Sequence, residues 1–319
     1  MSWSDRGKYF ELMAPQRSPE WFKGRQCRAT ASTYEKLMGF SRPDFGTPEE
    51  ERDIIVGRKP PKATNENMER GKVMEEPTRD YFHQHGLPPG SEMYEPSLCV
   101  GMTTYDFPFI DSVWPAEWQG KTLTEVFGSQ AENPFHPNFF IGGSPDFITT
   151  LPDGSVKNGE IKFPKKMYDP LLMRATNSQC PKEIGWYPTN LPKLLANNQK
   201  ALNSKYGYNR TRGVALPYGH LWTSHLYQMT GCMAVTQNKS CYYVVGSFEP
   251  YPGMFYWEEL SFEENLWHRL VYPSLILAVE TLIKPMMTAE QVQYYTNENK
   301  MLQSITSSEN FSIVKWIGN

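Results

Sequence analysis

Three residues near the middle of the chain combine the types and the spacing that metal-assisted chemistry needs: Asp146, Glu160 and Lys162. Asp146 ends the segment Gly-Gly-Ser-Pro-Asp at 142–146, and a Pro-Asp-Gly-Ser turn at 152–155 separates it from the other two. A turn of this composition joins two antiparallel strands. Because side chains alternate along a strand, Glu160 and Lys162 are predicted to share one face of the returning strand.

This pair of carboxylates suits a hard cation. Two carboxylates on adjacent strands can hold Mg²⁺, which takes oxygen ligands and keeps several waters. Lys162 on the same face can orient a metal-bound water or help to deprotonate it, while the metal neutralises charge on a phosphate. A turn aspartate beside an exposed ion pair is the structural alternative. The Ser-Pro before Asp146 and the Phe-Pro after Lys162 favour the metal site.

The charge distribution permits a nucleic-acid partner. The 319 residues carry a formal net charge of −3, yet the segment 157–212 holds eleven Lys and Arg against three acidic residues. Trp186, Tyr187, Tyr206 and Tyr208 are interleaved with these cations, a mixture that suits phosphate contacts and base stacking. A solvated surface is the alternative for such a run.

Other features exclude classes of function. The five cysteines are scattered without a C-x-x-C pair, which argues against a zinc site or an iron–sulphur cluster and favours a reducing compartment. No apolar run reaches transmembrane length and the N-terminus is polar, so we expect an intracellular protein, not secreted, with no membrane partner. The chain has no G-x-G-x-x-G, P-loop or G-x-S-x-G motif, which argues against common metabolic enzymes.

Two residues on predicted helices could complete the site. Glu75 lies on a predicted helix over 66–85, and Gln228 lies on one over 218–236, where His225 shares its face. A glutamine among apolar neighbours is costly in a core unless it is paired. An exposed helical glutamate and a satisfied core amide are the structural alternatives.

A cluster that could bind an anion lies near the N-terminus. Trp21 and Arg25 precede a Thr-Ala-Ser run at 30–32. Arginine makes bidentate contacts to phosphate, and Ser32, close to a predicted helix start, offers a hydroxyl and backbone N–H groups to an anion. An N-cap serine beside a surface arginine is the alternative.

The remaining pattern predicts one α/β domain made of helices, a mixed sheet and further helices. Residues 39–65 are rich in proline and charge and predict a loop. Residues 262–283 predict an amphipathic helix interrupted at its proline, and 288–305 predict a last helix opened by Thr288, with Gln291 three residues on.

The order of these pieces resembles the phage lambda exonuclease family, also called the YqaJ-type viral recombinase family, to which viral alkaline exonucleases are related. The motifs are W-x3-R-x4-T-A-S, R-G-x3-E, G-G-S-P-D, G-E-I-K and H-x2-Q, spread over about 18–250. The group belongs to the PD-(D/E)xK nucleases. The resemblance implies an α/β, restriction-endonuclease-like core with a central mixed β-sheet flanked by helices. It implies a single nuclease domain over 1–319, with a basic insertion at about 165–217 and a helical C-terminal region at about 261–319.

The resemblance also implies roles at a metal centre. Asp146 and Glu160 would bind Mg²⁺ or Mn²⁺ together with the backbone carbonyl of Ile161. Glu75 would help through a second ion or a water. Lys162 would activate the attacking water.

The substrate side of the site follows from the same resemblance. Gln228 would position the nucleophile, and Arg25, Ser32 and Ser144 would form the pocket that holds a 5′-terminal phosphate. Family members degrade one strand of duplex DNA from its ends, 5′ to 3′. They usually work with a single-strand annealing protein, and some form a ring-shaped trimer. The implied function is a metal-dependent 5′-to-3′ exonuclease in recombination or genome processing, in the host cytoplasm or nucleus if the protein is viral.

The chain departs from the phage pattern after Lys162. The segment between Lys162 and Gln228 is much longer than in the phage enzyme and resembles the larger eukaryotic-virus enzymes. The phage-type arginine soon after the lysine strand is absent at that spacing, with Lys165 and Lys166 the nearest candidates. Two alternatives stay open: an endonuclease on DNA or RNA that uses the same site, and a non-catalytic DNA-binding relative.

Overall fold

A computed structural model of the chain describes residues 2–41, 45–101, 114–122, 125–126, 140–165, 221–247 and 254–306. The strands are β1 (Trp3–Asp5), β2 (Tyr9–Leu12), β3 (Ala29–Thr30), β4 (Glu92–Tyr94), β5 (Cys99–Gly101), β6 (Ile141–Gly143), β7 (Phe147–Thr150), β8 (Val156–Lys162), β9 (Ser240–Ser247) and β10 (Met254–Ser261). The α-helices are α1 (Pro19–Arg25), α2 (Tyr34–Leu37), α3 (Pro48–Ile55), α4 (Glu66–His85), α5 (Thr223–Thr236), α6 (Glu264–Leu266), α7 (Tyr272–Ala278) and α8 (Ala289–Thr306). The predicted basic insertion lies outside the described residues from 166 onward. None of the described helices is long and apolar enough to cross a membrane.

Within the described residues the strands form two five-stranded mixed sheets, in the orders β1-β2-β5-β6-β3 and β10-β9-β8-β7-β4. The pairs β3–β6 and β8–β9 are parallel, and the other neighbours are antiparallel. The predicted α/β class, with mixed β-structure flanked by helices, is confirmed. Between the two sheets the chain leaves β6 through Ser144 and Pro145 and enters β7 in the second sheet. A proline has no N–H with which to continue a ladder.

Helix α5 joins the two sheets. It packs against β5 and β6 of the first sheet and against β8 and β9 of the second. Glycines permit this close approach, because a Cβ added at Gly231 would overlap the ring of Tyr34, and one at Gly101 would overlap the backbone of Val235. The Tyr34 hydroxyl also donates to the Gly142 carbonyl at 2.9 Å. The end of β6 and the face of α5 are thereby held together.

Helix α3 shows that the predicted loop over 39–65 is wrong. The Thr47 hydroxyl accepts from the Glu50 N–H at 3.2 Å, and the Glu50 carboxylate accepts from the Thr47 N–H at 3.4 Å. Pro48 follows this cap in the first helical turn, where its missing N–H costs nothing. The capping residues Thr47 and Glu50 are a sequence signal for a helix start, but the high charge of the stretch favoured the prediction of a loop.

The helical C-terminal run is continuous where an interruption was predicted. Two π-helical stretches, Trp267–Val271 and Val279–Ile283, flank α7, and Lys284–Met286 forms a 3₁₀ turn. The wider π turn before α7 accommodates the proline in its first turn without ending the helix. Helix α8 then begins with the predicted cap, in which the Thr288 N–H donates to Gln291 Oε1 at 2.9 Å.

Helix α8 is anchored to the N-terminal part of the chain by a buried ion pair. The guanidinium of Arg28 donates to the Glu298 carboxylate, and the two side chains are 0% and 4% exposed. The Tyr295 hydroxyl donates to the Gln26 carbonyl. This contact fixes the segment that follows α1, and α1 carries part of the candidate site.

Candidate active site

The end of β6 and the returning strand β8 bring Asp146 and Glu160 to neighbouring positions. The Asp146 N–H donates to the Gly159 carbonyl at 3.0 Å, and Asp146 Oδ2 accepts from the Ile161 N–H at 2.6 Å. A Cβ at Gly159 would overlap the ring of Phe147, so a glycine is needed for β7 and β8 to pair here. The Ile161 N–H thus fixes one carboxylate oxygen of Asp146, and the Gly159 carbonyl fixes its backbone, so Asp146 is held by the residues on either side of Glu160.

Glu160 is held on its other side by Lys162. The Lys162 ammonium donates to Glu160 Oε1 and lies 3.5 Å from Gln228 Oε1 on α5. Glu160 is 1% exposed, and its Oε2 atom is buried without a hydrogen-bond partner. Buried polar atoms are normally paired, so the second carboxylate oxygen of Glu160 is an acceptor that a cation or a hydrogen-bond donor could satisfy.

Burial and mutual charge shift the pKa values of Asp146, Glu160 and Lys162. Burial, followed by the charge of Glu160, raises the pKa of Asp146 well above its usual range. Burial also raises the pKa of Glu160, against the opposing effect of the Lys162 ammonium. For Lys162 burial lowers the pKa, but the charges of Glu160 and Asp146 outweigh it, and the net pKa lies above the usual value. The protein alone therefore crowds negative charge into a dry site, which a divalent cation would neutralise.

The donor set fits Mg²⁺ or Mn²⁺ with a partly hydrated shell. Within the described ranges no three His, Cys, Asp or Glu side chains lie close enough together to hold a metal ion by themselves. The two carboxylates of Asp146 and Glu160 would therefore need oxygens from water, from substrate phosphate or from the Ile161 backbone. Magnesium binds in this manner, through one or two carboxylates plus waters and phosphates. The Ile161 side chain is buried in a separate cluster that includes Phe147 and Val244, as strand alternation requires.

Glu75 approaches the site from α4. Its Oε2 accepts from the Arg17 guanidinium at 2.6 Å, in a pair whose side chains are 15% and 46% exposed. Its charge contributes to the raised pKa values of Asp146, Glu160 and Lys162. Glu75 thus influences both carboxylates electrostatically while Arg17 holds it.

Arg17 is a site residue that the sequence did not reveal. It pairs with a residue 58 positions away, and its φ of 66° is rare for a residue other than glycine. The neighbouring Gln16 side chain donates to the Pro96 carbonyl at 2.7 Å and to the Pro145 carbonyl at 3.3 Å. These bonds tie the Arg17 loop to the segment that carries Asp146. No local motif encodes such a contact.

The anion cluster near the N-terminus forms as a unit. Ser18 caps α1, and the Arg25 guanidinium, at the end of this helix, lies over the Trp21 ring at 4.3 Å. It donates to Thr30 Oγ1 at 2.7 Å and to Ser32 Oγ at 2.9 Å. Burial lowers the pKa of Arg25 to about 10, which leaves it charged at neutral pH. Its hydrogen bonds here go to hydroxyls, which leave its charge available to an anion.

Ser144 follows the strand that pairs with the segment before Ser32. Strands β3 and β6 run parallel, with Thr30 opposite Gly142, so Ser32 and Ser144 both follow the same edge of the sheet. A Cβ at Gly143 would lie 3.7 Å from the Ala31 Cβ, which shows how closely the two segments approach. The Ser144 hydroxyl is buried without a partner. Polar groups at the carboxyl ends of parallel strands are typical of ligand sites.

Of the two lysines proposed to follow the catalytic strand, Lys165 is exposed, and its carbonyl accepts from the Ser247 hydroxyl at 3.2 Å. Lys166 lies outside the described residues.

No protein-family model matches the chain, and no curated protein matches its sequence. Among solved structures it is similar to LHK-Exo, an alkaline exonuclease from Laribacter hongkongensis, in its complex with dAMP. The identity is 16%, the match covers 91% of this chain and 98% of that chain, and the TM-score is 0.40. It is similar to a phage-related exonuclease from Haemophilus somnus 129PT, with 11% identity, coverage of 87% and 96%, and a TM-score of 0.38. It is also similar to SOX in a SOX–DNA complex, with 12% identity, coverage of 88% and 69%, and a TM-score of 0.41. At these TM-scores the likenesses assign neither an activity nor a ligand to this chain.

Proposed function

We propose that the chain is a nuclease that hydrolyses phosphodiester bonds of duplex DNA with the help of Mg²⁺ or Mn²⁺, starting at 5′ ends. The observation that carries this is the buried group of Asp146, Glu160 and Lys162, in which Glu160 Oε2 is orphaned. Two crowded carboxylates beside an ammonium suit a cation that binds a phosphate and a water at once.

Asp146 and Glu160 would hold the metal, with the Ile161 carbonyl as a further ligand. A bound divalent ion would supply charge neutralisation at the scissile phosphate and a lower pKa for a coordinated water. Lys162 and Gln228, whose side chains lie 3.5 Å apart, would orient the attacking water from the α5 side. Because its pKa is raised, Lys162 stays protonated, and its main role would be to donate hydrogen bonds and to supply a positive charge.

Arg25, Ser32 and Ser144 would bind the terminal phosphate. A guanidinium bonded only to hydroxyls within the described residues and a buried unpartnered hydroxyl supply the charge and the donors that a phosphate needs. A site for a 5′-terminal phosphate next to the hydrolytic group would select DNA ends and set the 5′-to-3′ direction. Lys165 and Lys166 would contact the backbone of the duplex. A recombination or genome-processing role, an annealing partner and a trimeric ring stay predictions of the family resemblance.

The test is a time course on linear duplex DNA with 5′-phosphate or 5′-hydroxyl ends, beside a closed circle, in Mg²⁺ and in EDTA. We expect loss of the linear substrate alone, only in Mg²⁺, and faster with the 5′-phosphate. Cutting of the circle would identify an endonuclease instead. Tight DNA binding without cleavage at any divalent ion would identify a non-catalytic DNA-binding protein.

A further inference from the structure

A stacked pair of rings stands at the rim of the catalytic group. Trp222 immediately precedes α5 and is 54% exposed. Its ring is nearly parallel to that of His225, with an interplanar angle of 14° and 5.9 Å between centroids. Large exposed aromatic side chains are expensive to leave in water and are common in binding surfaces.

The pair is fixed to the catalytic strands. His225 Nδ1 and the Tyr243 hydroxyl are 2.7 Å apart, and Tyr243 lies directly opposite Glu160 in the parallel pairing of β8 and β9. One turn further along α5, Gln228 reaches Lys162. The His225 ring therefore connects the Trp222 indole to Tyr243, which lies beside the proposed metal ligand Glu160.

The chemistry of the pair suits an uncharged flat ligand. Burial, and then the charge of Lys162, lower the pKa of His225 well below its usual value, so the imidazole is neutral at physiological pH. A neutral ring supported by a buried phenol gives the indole a rigid backing without adding a charge. Such a surface favours a π-face over a phosphate, and nucleobases offer π-faces whatever their sequence.

Resting on the proposed nuclease function, we propose that Trp222, supported by His225, is the stacking platform for the nucleobase of a nucleotide whose phosphate enters the Asp146–Glu160 site. A base inside a duplex is stacked on its neighbours and cannot lie on a protein ring. The platform therefore selects a nucleotide that has separated from its complement, and duplexes with frayed or single-stranded termini bind more tightly than blunt duplexes. Specificity for base identity is not expected, because stacking alone carries the contact.

The experiment is a double-mutant cycle between protein and DNA. Binding of fluorescein-labelled DNA is measured by anisotropy in Ca²⁺, because without a divalent ion the carboxylates of Asp146 and Glu160 would repel the phosphate. The DNA is checked for intact length after each titration. The DNA is either intact or abasic at each of the first few nucleotides in turn. The proteins are the wild type, Trp222→Ala, Trp222→Phe and the control Phe45→Ala. Phe45 is a comparably exposed aromatic, at 50%, in a segment that carries none of the site residues.

We expect Trp222→Ala to weaken binding of intact DNA by about 5- to 150-fold, the range that base–aromatic stacking produces. One abasic position should weaken wild-type binding by a similar factor and leave Trp222→Ala unaffected. Trp222→Phe should retain most of the affinity, and Phe45→Ala all of it. If every abasic substitution weakens the wild type and Trp222→Ala by the same factor, the platform is refuted. If Trp222→Ala unfolds, the same comparison is made with Trp222→Phe against Trp222→Leu.

The platform and the nuclease proposal fail separately. A wild-type protein that shows the coupling but cleaves no DNA in any divalent metal refutes the nuclease and keeps the platform. A protein that cleaves linear DNA in Mg²⁺ without the coupling refutes the platform alone.

Discussion

Replacement of Glu298 by alanine should destabilise the fold strongly, because it leaves a buried charge without its partner. Arg28 is fully buried, and its guanidinium donates to Glu298 and to the Gly24 carbonyl. The other oxygen of Glu298 accepts from Trp3 Nε1 at 3.0 Å and from the Tyr294 hydroxyl at 3.0 Å. Loss of the carboxylate affects all of these contacts at once.

The magnitude follows from what remains around Arg28. Removing one partner of a buried ion pair costs about 3–5 kcal/mol. The ring faces of Trp3 and Tyr295, at 5.3 and 4.9 Å, still offer the guanidinium a cation–π contact. We therefore expect the lower end, about 3 kcal/mol. With an unfolding entropy of about 2.1 cal/mol/K per residue, this corresponds to a fall in Tm of about 4–5 °C.

The assay is urea unfolding followed by tryptophan fluorescence, with thermal unfolding beside it. Glu298→Gln is the matched variant. It keeps the shape of the side chain and an acceptor oxygen, so it should lose less unfolding free energy than Glu298→Ala. Glu69→Ala removes one partner of an exposed pair with Lys72, whose side chains are 54% and 39% exposed, and should leave the midpoint unchanged. A Glu298→Ala protein that unfolds at the wild-type midpoint would refute the reasoning, as would an equal loss in the Glu69 control.

Three further outcomes are expected. Asp146→Asn should raise Tm in EDTA, because burial makes the charged form of this carboxyl unfavourable in the folded state and raises its pKa. The gain in Tm should be largest above the folded-state pKa of Asp146 and should vanish as the pH falls towards about 4, the pKa of an unfolded aspartate. A lower Tm for Asp146→Asn in EDTA at neutral pH would contradict this prediction. Arg25→Lys should reduce the preference for 5′-phosphate over 5′-hydroxyl ends by about 10- to 100-fold in initial rates, because a planar two-donor contact is lost, whereas an unchanged ratio would exclude Arg25 from the phosphate site. Gly231→Ala should cost about 1–3 kcal/mol in urea unfolding, because the added methyl overlaps the Tyr34 ring, and wild-type stability would show that α5 is not so closely packed.

Local chemistry was predictable from the sequence where short-range signals exist. The Thr288 cap of the last helix and the alternation that places Glu160 and Lys162 on one face need only neighbours within a few residues. The helix after Thr47 carried an equally local signal, which was outweighed by the charge and proline content of its surroundings.

Long-range contacts were not predictable in the same way. Arg17 meets Glu75 across 58 residues, and Arg28 meets Glu298 across 270. No spacing rule links such pairs, since their proximity depends on the packing of whole elements. The division of the strands into two sheets has the same origin, because the pairing of β6 and β7 with different partners is decided by distant strands.

The most direct test of the central claim is the single-turnover cleavage rate of 5′-phosphorylated linear duplex DNA in Mg²⁺ by the wild type and Glu160→Gln. Glutamine keeps the shape and an acceptor for Lys162 but removes the charge of the orphan oxygen. The account predicts that Glu160→Gln falls to the rate seen in EDTA while its unfolding midpoint stays at or above that of the wild type. A folded Glu160→Gln protein that cleaves at the wild-type rate would contradict a metal-dependent nuclease at this site.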